Sequence, residues 1–298
     1  MNKIFFYFLI AASFFSSCER VIDLNINNQI PKLVVDANIE NDRPPFVVLS
    51  TSLNYFSTIT PQEASASFVH NALITLNDGS KMVTLKEYIL TDSSGYNFYY
   101  YSVDVSKPNE ILIGILNTTY SMKVTLANGE QYDATTTIPL LRKTCDSLYW
   151  VTAPNNSDTT RCVLYGNFTD PAGLGDYVRY FTAVNTDPFY AGFNSVFDDQ
   201  VVDGTSYSVQ IPQGFNKNDT VSINSEDAGF FHRGDTTTFK FCNIDKATYT
   251  FWNTWEFSYQ STGNPFSSPN KVIGNISNGA LGAFSGYAAQ YRSIVIPK

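Results

Sequence analysis

Short apolar runs separated by turn-forming residues characterise the first half of the chain. These runs are rich in β-branched and aliphatic side chains. The sequence between them shows no apolar periodicity of three to four residues, which would indicate a helix. The segment Asn77-Asp78-Gly79 lies between two of the runs and predicts a tight hairpin turn. The runs span residues 33–35, 46–49, 72–76 and 82–85.

A second hairpin is predicted further along the same half. Residues 120–126 alternate apolar and polar side chains, and residues 131–138 follow as a partner strand. Asn128-Gly129 lies between them, and this residue pair favours a turn with positive φ angles. Strands at this spacing, without helices between them, predict an antiparallel β-sandwich of immunoglobulin-like type over residues 32–140.

The β pattern resumes in the second half, which predicts a β-rich domain over residues 141–298. Its first strands are expected at 147–152 and 162–168. Residues 185–218 combine Asp, Gly, Asn and aromatic residues with weak periodicity, which predicts long loops. The expected fold is therefore mainly β, with two immunoglobulin-like antiparallel β-sandwich domains that meet near residues 140–145.

One helix is predicted in the second domain. Asp245 is a favourable N-cap residue, and aromatic residues recur after it at intervals of three and four positions. The segment Gly263-Asn264-Pro265 is expected to end the helix. The recurring aromatic residues are Tyr249, Trp252, Trp255 and Tyr259.

The N-terminus has the pattern of a bacterial lipoprotein signal. Lys3 precedes an apolar run over residues 4–15, and Ser16-Ser17 lead into Cys18 in the manner of a lipobox. We therefore expect residues 1–17 to be a signal peptide, Cys18 to be lipidated and residues 18–31 to form a tether. An ordinary secretory signal that ends near a cysteine is the alternative.

The expected location of such a protein is the outer membrane. Glu19, rather than Asp, follows the cysteine, so a familiar inner-membrane retention signal is missing. The face of the membrane is left open by the sequence. Only 15% of the 298 residues are charged, which fits a secreted or surface protein whose exterior is covered by Ser, Thr and Asn.

The charge and motif content exclude several classes of function. A formal net charge of −8 without a basic cluster argues against nucleic acid as a partner. His70 and His232 are the two histidines, and the nucleophile-elbow, zinc-protease and phosphate-loop motifs are missing. We therefore expect a protein that is not an enzyme and needs no cofactor. Glycoside hydrolysis by paired carboxylates stays open, because that mechanism requires no sequence motif.

Three cysteines remain after the lipobox, and in an oxidising envelope they allow one disulfide. Cys145 and Cys162 enclose the shortest loop and are the candidate pair, although Cys242 leaves three pairings open. No Cys-x-x-Cys pair is present, so a tetrahedral zinc site is not expected.

Aspartates at short intervals offer oxygen ligands of the kind that Ca²⁺ prefers. Asp198, Asp199 and Asp203 form one weak candidate group, and Asp170 with Asp176 forms another. Neither group has the spacing of a calcium-binding loop. Solvated turns are the alternative interpretation of both groups.

Phe189, Tyr190 and Phe193 form a candidate ligand- or partner-binding platform. They lie in the predicted loop region, where large rings have less core to join. A platform for sugar stacking or partner docking is one interpretation, and a small local core within the loop is the other.

Five segments are distinctive as a set. They are Ile-Asp-Leu at 22–24, Pro-Lys-Leu-Val-Val at 31–35, Phe-Thr-Asp-Pro-Ala-Gly at 168–173, Gly-Asn-Pro-Phe-Ser-Ser-Pro at 263–269, and Asn-Ile-Ser-Asn-Gly-Ala-Leu-Gly-Ala-Phe-Ser-Gly-Tyr at 275–287. Together with the lipobox they resemble the Bacteroidota outer-membrane lipoproteins grouped as domain of unknown function 4249. The tail segments carry most of this resemblance. Their repeated Gly and Asn residues are interpreted first as structural positions.

The resemblance implies a β-rich lipoprotein that accompanies a TonB-dependent outer-membrane transporter, and it supplies no catalytic residues. We therefore expect a non-enzymatic accessory or ligand-binding component of nutrient uptake, attached to the membrane through its lipid anchor. A stand-alone surface module that binds a glycan or peptide is the first alternative. A carboxylate-dependent hydrolase is the second.

Overall fold

Strands dominate the computed structural model, which describes residues 30–53, 60–92, 95–217, 226–262, 264, 266–268 and 270–298. The strands are β1 (Leu33–Glu40), β2 (Phe46–Thr51), β3 (Leu73–Asn77), β4 (Met82–Thr91), β5 (Asn97–Val103), β6 (Thr118–Thr125), β7 (Gln131–Ile138), β8 (Thr144–Thr152), β9 (Arg161–Thr169), β10 (Tyr177–Val184), β11 (Tyr190–Phe197), β12 (Ser206–Ile211), β13 (Phe231–His232), β14 (Thr236–Ile244) and β15 (Leu281–Val295). The prediction of a mainly β fold is confirmed.

Two α-helices interrupt the described strands. Helix α1 (Pro61–Ala66) begins with a capping box, in which Thr60 and Glu63 exchange side-chain and backbone hydrogen bonds. Helix α2 (Lys246–Ser261) begins at the N-cap Asp245, whose carboxylate accepts a hydrogen bond from the Thr248 amide at 2.7 Å. The helix predicted after Asp245 is therefore confirmed. A short 3₁₀ turn covers Pro108–Glu110.

Eleven strands form one continuous sheet that runs through both halves of the chain. Their order is β11-β10-β14-β15-β1-β2-β5-β4-β3-β6-β7. The strand pairs in this sheet are antiparallel except β1 and β15, which pair in parallel with Val34 opposite Leu281 and Glu40 opposite Tyr287. The predicted boundary near residue 140 falls in the link between β7 and β8, and β15 returns across it to lie beside β1.

Strand β1 shows why its sequence forms the centre of this sheet. Alternate residues Leu33, Val35, Ala37 and Ile39 are buried in the core of the first half, which Phe284 and Ala288 of β15 also join. Burial of a side chain such as Phe284 stabilises the fold by about 2–3 kcal/mol. Since β1 and β15 share this core, their parallel pairing is held by packing as well as by hydrogen bonds.

A smaller sheet completes a sandwich in the second half. It contains β12, β9 and β13, with β8 on the other edge of β9. Phe168 of β9 packs against Phe241 of β14, with the ring centroids 5.0 Å apart. Helix α2 covers the opposite face of the large sheet, where Trp252 packs with Tyr287 and Ala289 of β15. Strand β15 is therefore buried on both faces.

Polar contacts fix the ends of the β1–β15 pair. The buried carboxylate of Glu40 accepts hydrogen bonds from Lys240 of β14 and from the hydroxyl of Tyr291 of β15. Beyond the strand, the side chain of Asn41 accepts a hydrogen bond from the Ala289 amide at 2.6 Å. These contacts anchor the end of β1 to the strands of the second half.

The tail motif predicted to be structural lies along β7. The Asn275 side chain donates to the carbonyl oxygens of Thr135 and Phe284 at 3.0 and 2.8 Å and accepts from the Phe284 amide at 2.8 Å. Asn278, at a φ of 55°, donates to the Gln131 carbonyl at 2.6 Å. The motif therefore joins the segment before β15 to the edge strand of the first half.

Several local predictions agree with this architecture. The hairpins expected at residues 77–79 and 128–129 correspond to the antiparallel pairs β3–β4 and β6–β7. The strands expected at 147–152 and 162–168 are found as β8 and β9. The prediction of long loops over 185–218 is correct only in part, because β11 and β12 occupy residues 190–197 and 206–211 of that range. Residues 1–17 and Cys18 lie outside the described residues.

The predicted disulfide between Cys145 and Cys162 is also wrong, since both thiols are free and buried, as is that of Cys242. The β8–β9 register places Cys145 opposite Phe168 and Cys162 opposite Thr152, at opposite ends of the hairpin. Six residues of strand correspond to about 20 Å, far beyond the roughly 7 Å that a disulfide can bridge between Cα atoms. Burial raises the pKa of the Cys145 thiol to about 11.

The parallel pairing can be tested with two glycines that both have positive φ angles. A Cβ at Gly282 would lie 2.0 Å from the Val35 carbonyl oxygen of β1, whereas a Cβ at Gly279 would meet nothing within 4 Å. We expect Gly282→Ala to lower the free energy of unfolding by about 2 kcal/mol more than Gly279→Ala, because both variants share the conformational cost and only one forces the strands apart. Urea denaturation measures the difference, and equal losses would contradict the β1–β15 register.

Candidate functional site

A cleft of about 490 Å³ lies where α2 crosses the β1–β15 pair. One wall consists of Phe251, Trp252 and Trp255 of α2, and the floor is formed by the first residues of β1 and β15. Val272 and Gly274, in the segment that leads into β15, close a third side. This volume lies within the range of small-molecule sites, and most of the lining is apolar.

Asp36 places a carboxylate on the floor of this apolar cleft. It lies on the face of β1 opposite the buried Val35 and Ala37, and it pairs in register with Ala283 of β15. The side chain is reached by solvent through the cleft, yet surrounding protein raises its pKa above the ordinary value, and the positive charge of Arg179 offsets only part of this effect. Within the described part of the chain, no group donates a hydrogen bond to this carboxylate.

A buried polar network supports the aromatic wall from behind. Arg179 of β10 donates to the Ser195 hydroxyl at 3.2 Å and to the Tyr287 hydroxyl at 2.8 Å. Glu256 of α2 accepts hydrogen bonds from the Ser195 hydroxyl and from its amide, the latter at 2.9 Å. The guanidinium carbon of Arg179 lies 3.4 Å from the Trp252 ring centroid, a cation–π contact that fixes this ring.

The second tryptophan is held by a different set of contacts. The Trp255 ring stacks on Tyr259, one helical turn away, with centroids 5.4 Å apart. The Lys217 ammonium lies 5.4 Å from the centroid of the same ring and donates to the Gly192 carbonyl at 3.0 Å. Burial lowers the pKa of Lys217 to about 8. Both tryptophan side chains of the wall are therefore fixed in place.

This arrangement can bind a ligand that carries both hydrogen-bond donors and a flat apolar face. A carboxylate without a protein donor is an acceptor for a hydroxyl or ammonium group, and indole rings offer surfaces for stacking. Asp36 is the only acid among the described residues that line the cleft.

The predicted aromatic platform is placed differently from expectation. Tyr190 and Phe193 belong to the edge strand β11 and do not lie in a loop, whereas Phe189 lies in the short connection between β10 and β11. Phe189 packs against Tyr291 with centroids 5.7 Å apart, whereas Phe193 packs against Phe215 at 6.1 Å. Phe189 and Phe193 thus contact different neighbours, and their role in binding stays a prediction.

The predicted aspartates are brought together only in part. Carboxylate oxygens of Asp170, Asp199 and Asp203 all lie within 4.8 Å of one another, so members of the two candidate groups meet in one cluster. Asp198 is not a member of this cluster, and it accepts a hydrogen bond from the Tyr249 hydroxyl at 3.3 Å. Asp176 borders the cluster, and its pKa is raised by burial, with Arg142 opposing that effect.

The two histidines lie apart in the fold, and each faces a carboxylate. His70, just before β3, contacts Glu87 at 2.5 Å, and His232 of β13 contacts Asp227 at 3.3 Å. Since β3 and β13 belong to different sheets, these pairs do not combine into one multi-histidine site.

Comparison with known proteins places the chain in a family. A family model matches residues 19–293, a range that includes the cleft and the aspartate cluster. The chain belongs to the family described as Domain of unknown function (DUF4249). No curated protein matches it. In the described residues, no helix has the length and apolarity needed to cross a bilayer.

Sequence reasoning missed Asp36 in this family member, although a signal was present. The run Leu-Val-Val-Asp-Ala-Asn-Ile contains one acid, and strand alternation places it on the face opposite the core. Trp252 and Trp255 belong to the aromatic residues that recur at helical intervals, and both are half-buried. They share a cleft with Asp36 because β1 pairs with β15, and no local sequence pattern predicts this pairing.

Asp36→Asn is expected to raise the melting temperature at pH 7. A folded-state pKa above the ordinary value means that the charged carboxylate destabilises the fold, fully so above the raised pKa. The gain should disappear near pH 3, below the ordinary pKa, where the wild-type carboxyl is protonated in both states. Thermal melts of Asp187→Asn, which removes an exposed carboxylate elsewhere, provide the control. A melting temperature that falls at pH 7 would contradict this assignment.

Proposed function

We propose that this protein is an outer-membrane lipoprotein, anchored through Cys18, that binds a ligand between α2 and the β1–β15 pair. In this role it is a non-enzymatic accessory or ligand-binding component beside a TonB-dependent nutrient transporter. The observation that carries the proposal is the Asp36 carboxylate, which lies in an aromatic-walled cleft without a hydrogen-bond donor among the described residues.

A ligand role fits the surroundings of the Asp36 carboxylate. Solvent reaches this side chain through the cleft, yet neighbouring protein raises its pKa, so its charged form is less well stabilised than in water. A ligand hydroxyl or ammonium group would supply the missing hydrogen bond. A ligand donor would therefore stabilise the charged carboxylate more than the free cleft does.

The walls of the cleft narrow the chemistry of the ligand. The Trp252 ring makes a cation–π contact with Arg179, and the Trp255 ring stacks on Tyr259. Both rings are therefore fixed before any ligand binds. Preorganised rings of this kind favour sugar rings, or peptide side chains with a flat apolar face. Polyhydroxylated sugars also present the hydroxyl donors that Asp36 lacks.

The number of acidic side chains in the cleft favours ligand binding over hydrolysis as the function. Glycoside hydrolysis uses two carboxyl groups about 5–9.5 Å apart across the substrate bond. Asp36 is the only acid lining the described cleft, and Glu256 of the supporting network is buried against Ser195. A single acceptor with stacking walls is suited to recognition of a ligand that leaves unchanged.

The anchor fits an accessory role at a membrane. Cys18 precedes the first residue of β1 by fifteen positions, so the intervening chain spans at most about 50 Å. A lipidated chain with a reach of this size would let the folded body rest on, or swing towards, a transporter in the same membrane.

Glycan and peptide arrays probed with the full lipoprotein in detergent test the ligand role. We expect a defined glycan or peptide to bind, and Asp36→Asn and Trp255→Ala each to weaken its affinity at least tenfold, because each removes a lining group. Asp187→Asn should bind as the wild type does. Binding should weaken as the pH falls through the raised pKa of Asp36, because the protonated carboxyl is a poorer acceptor. An affinity unchanged in both cleft variants would contradict the proposal.

Affinity capture of the native lipoprotein from its own membranes tests the transporter role separately. Co-purification of a TonB-dependent transporter is expected. Ligand binding without a captured transporter would favour the stand-alone surface module instead, while the cleft assignment would still hold.

A further inference from the structure

Two loops of the second half converge at one end of the sandwich. Residues 170–176 connect β9 to β10, and residues 198–205 connect β11 to β12. The Asp170 amide donates to the Thr205 carbonyl at 2.9 Å, which ties the loops together. At this junction, carboxylate oxygens of Asp170, Asp199 and Asp203 lie within 4.8 Å of one another.

Backbone amides orient two of these three side chains. Asp199 accepts hydrogen bonds through Oδ2 from the amides of Gly175 and Asp176, at 2.8 and 3.0 Å. Asp203 accepts through Oδ1 from the Gly173 amide at 2.7 Å. Gly173 and Gly175 have φ angles of 116° and 118°, which an L-residue rarely adopts. The first loop is thus shaped so that its amides hold the acids of the second loop.

Asp170 provides an independent observation that points to a ligand at this cluster. Its side chain is completely buried, and its Oδ1 lies 2.9 Å from the Lys143 ammonium. Its Oδ2 accepts no hydrogen bond from any described residue, and the same is true of the buried Oδ2 of Asp176. An unsatisfied buried carboxylate oxygen is costly, and a cation is the partner that the oxygen of an ionised acid favours most.

The charges around the cluster do not cancel. Asp170, Asp176, Asp199 and Asp203 contribute four formal negative charges. Lys143 pairs with Asp170, and Arg142 pairs with Asp176 at 3.1 Å. The remaining excess of two negative charges is the charge that one divalent cation would neutralise.

We propose that Asp170, Asp199 and Asp203 bind a divalent cation, and that this cation is Ca²⁺. Ca²⁺ takes oxygen ligands at about 2.3–2.6 Å, so oxygens up to 4.8 Å apart fit around a single ion. Carboxylates without imidazole or thiolate neighbours disfavour Zn²⁺. An open depression of about 520 Å³ beside Asp199, together with the exposed Asp203, gives the ion a route from solvent and room for water ligands.

Such an ion would join the two layers of the second half. Strands β9 and β12 belong to the small sheet, whereas β10 and β11 belong to the large one. Each loop that contributes ligands passes from one sheet to the other, so the ion would bridge both crossings. Bound Ca²⁺ should therefore stabilise the folded chain without touching the aromatic cleft.

Calcium titration of the full chain after chelator treatment tests the proposal, by calorimetry and by thermal melting at constant ionic strength. We expect heat of binding and a rise in melting temperature below about 1 mM, the range of many extracellular calcium modules. Asp203→Asn is the main variant because Asp203 is exposed and its replacement leaves the Lys143–Asp170 pair intact. It should weaken Ca²⁺ binding at least tenfold.

Asp198→Asn is the matched control, since this neighbouring carboxylate accepts a hydrogen bond from Tyr249 and is not one of the three clustered groups, although it lines the same depression. Its calcium affinity should stay close to that of the wild type, and Asp36→Asn should also keep the calcium response. Absence of heat and of a melting shift up to 10 mM Ca²⁺ would overturn the proposal, as would an equal loss in Asp198→Asn. An equal effect of Mg²⁺ at the same concentrations would overturn the assignment to Ca²⁺.

Discussion

The parallel pairing of β1 with β15 is the constraint on which the rest of the molecule depends. It joins residues near the start and the end of the described chain and makes one sheet of two halves. One face of β15 packs in the core of the first half, and the other face packs against helix α2, so β15 is buried on both faces. The loop-closure entropy of such a contact is large, and the shared hydrophobic core and the Glu40 contacts with Lys240 and Tyr291 offset it.

The same pairing creates the cleft. Asp245 illustrates the connection, because its carboxylate caps α2 and also accepts a hydrogen bond from the Thr137 amide of β7 at 2.7 Å. The start of the helix is thereby fixed to the first half while its body packs on the second. Asp36 lies below the aromatic residues of this helix because β1 brings it there. The segments of this arrangement all lie within residues 19–293, the range that the family model matches.

Features with local causes could be predicted from the sequence. The Asn77–Gly79 and Asn128–Gly129 turns, and the N-cap Asp245, each depend on neighbouring residues and a few hydrogen bonds. Strand β11 was missed for a physical reason: its pairing with β10 is irregular between Arg179 and Phe181, so strict alternation is lost. The disulfide between Cys145 and Cys162 failed because loop length says nothing about register.

The candidate sites depend on contacts between distant segments, which single-sequence patterns do not encode. Asp170 and Asp199 were recognised as members of separate groups, and only the crossing of two loops unites them. Asp36 is an isolated acid in an apolar run, and its meaning depends on Trp252 and Trp255, more than two hundred residues away. The residues of both candidate sites are therefore brought together by the strand topology and not by a local sequence motif.

A carboxyl NMR titration of Asp36 in the full-length protein directly observes the acid on the floor of the cleft. We expect its pKa in the ligand-free protein to lie above that of an ordinary aspartate. We also expect this pKa to fall when a ligand identified on the arrays is bound, because a ligand donor stabilises the charged form. A pKa at or below the ordinary value in the ligand-free protein that does not change when the ligand binds would contradict a binding role for Asp36.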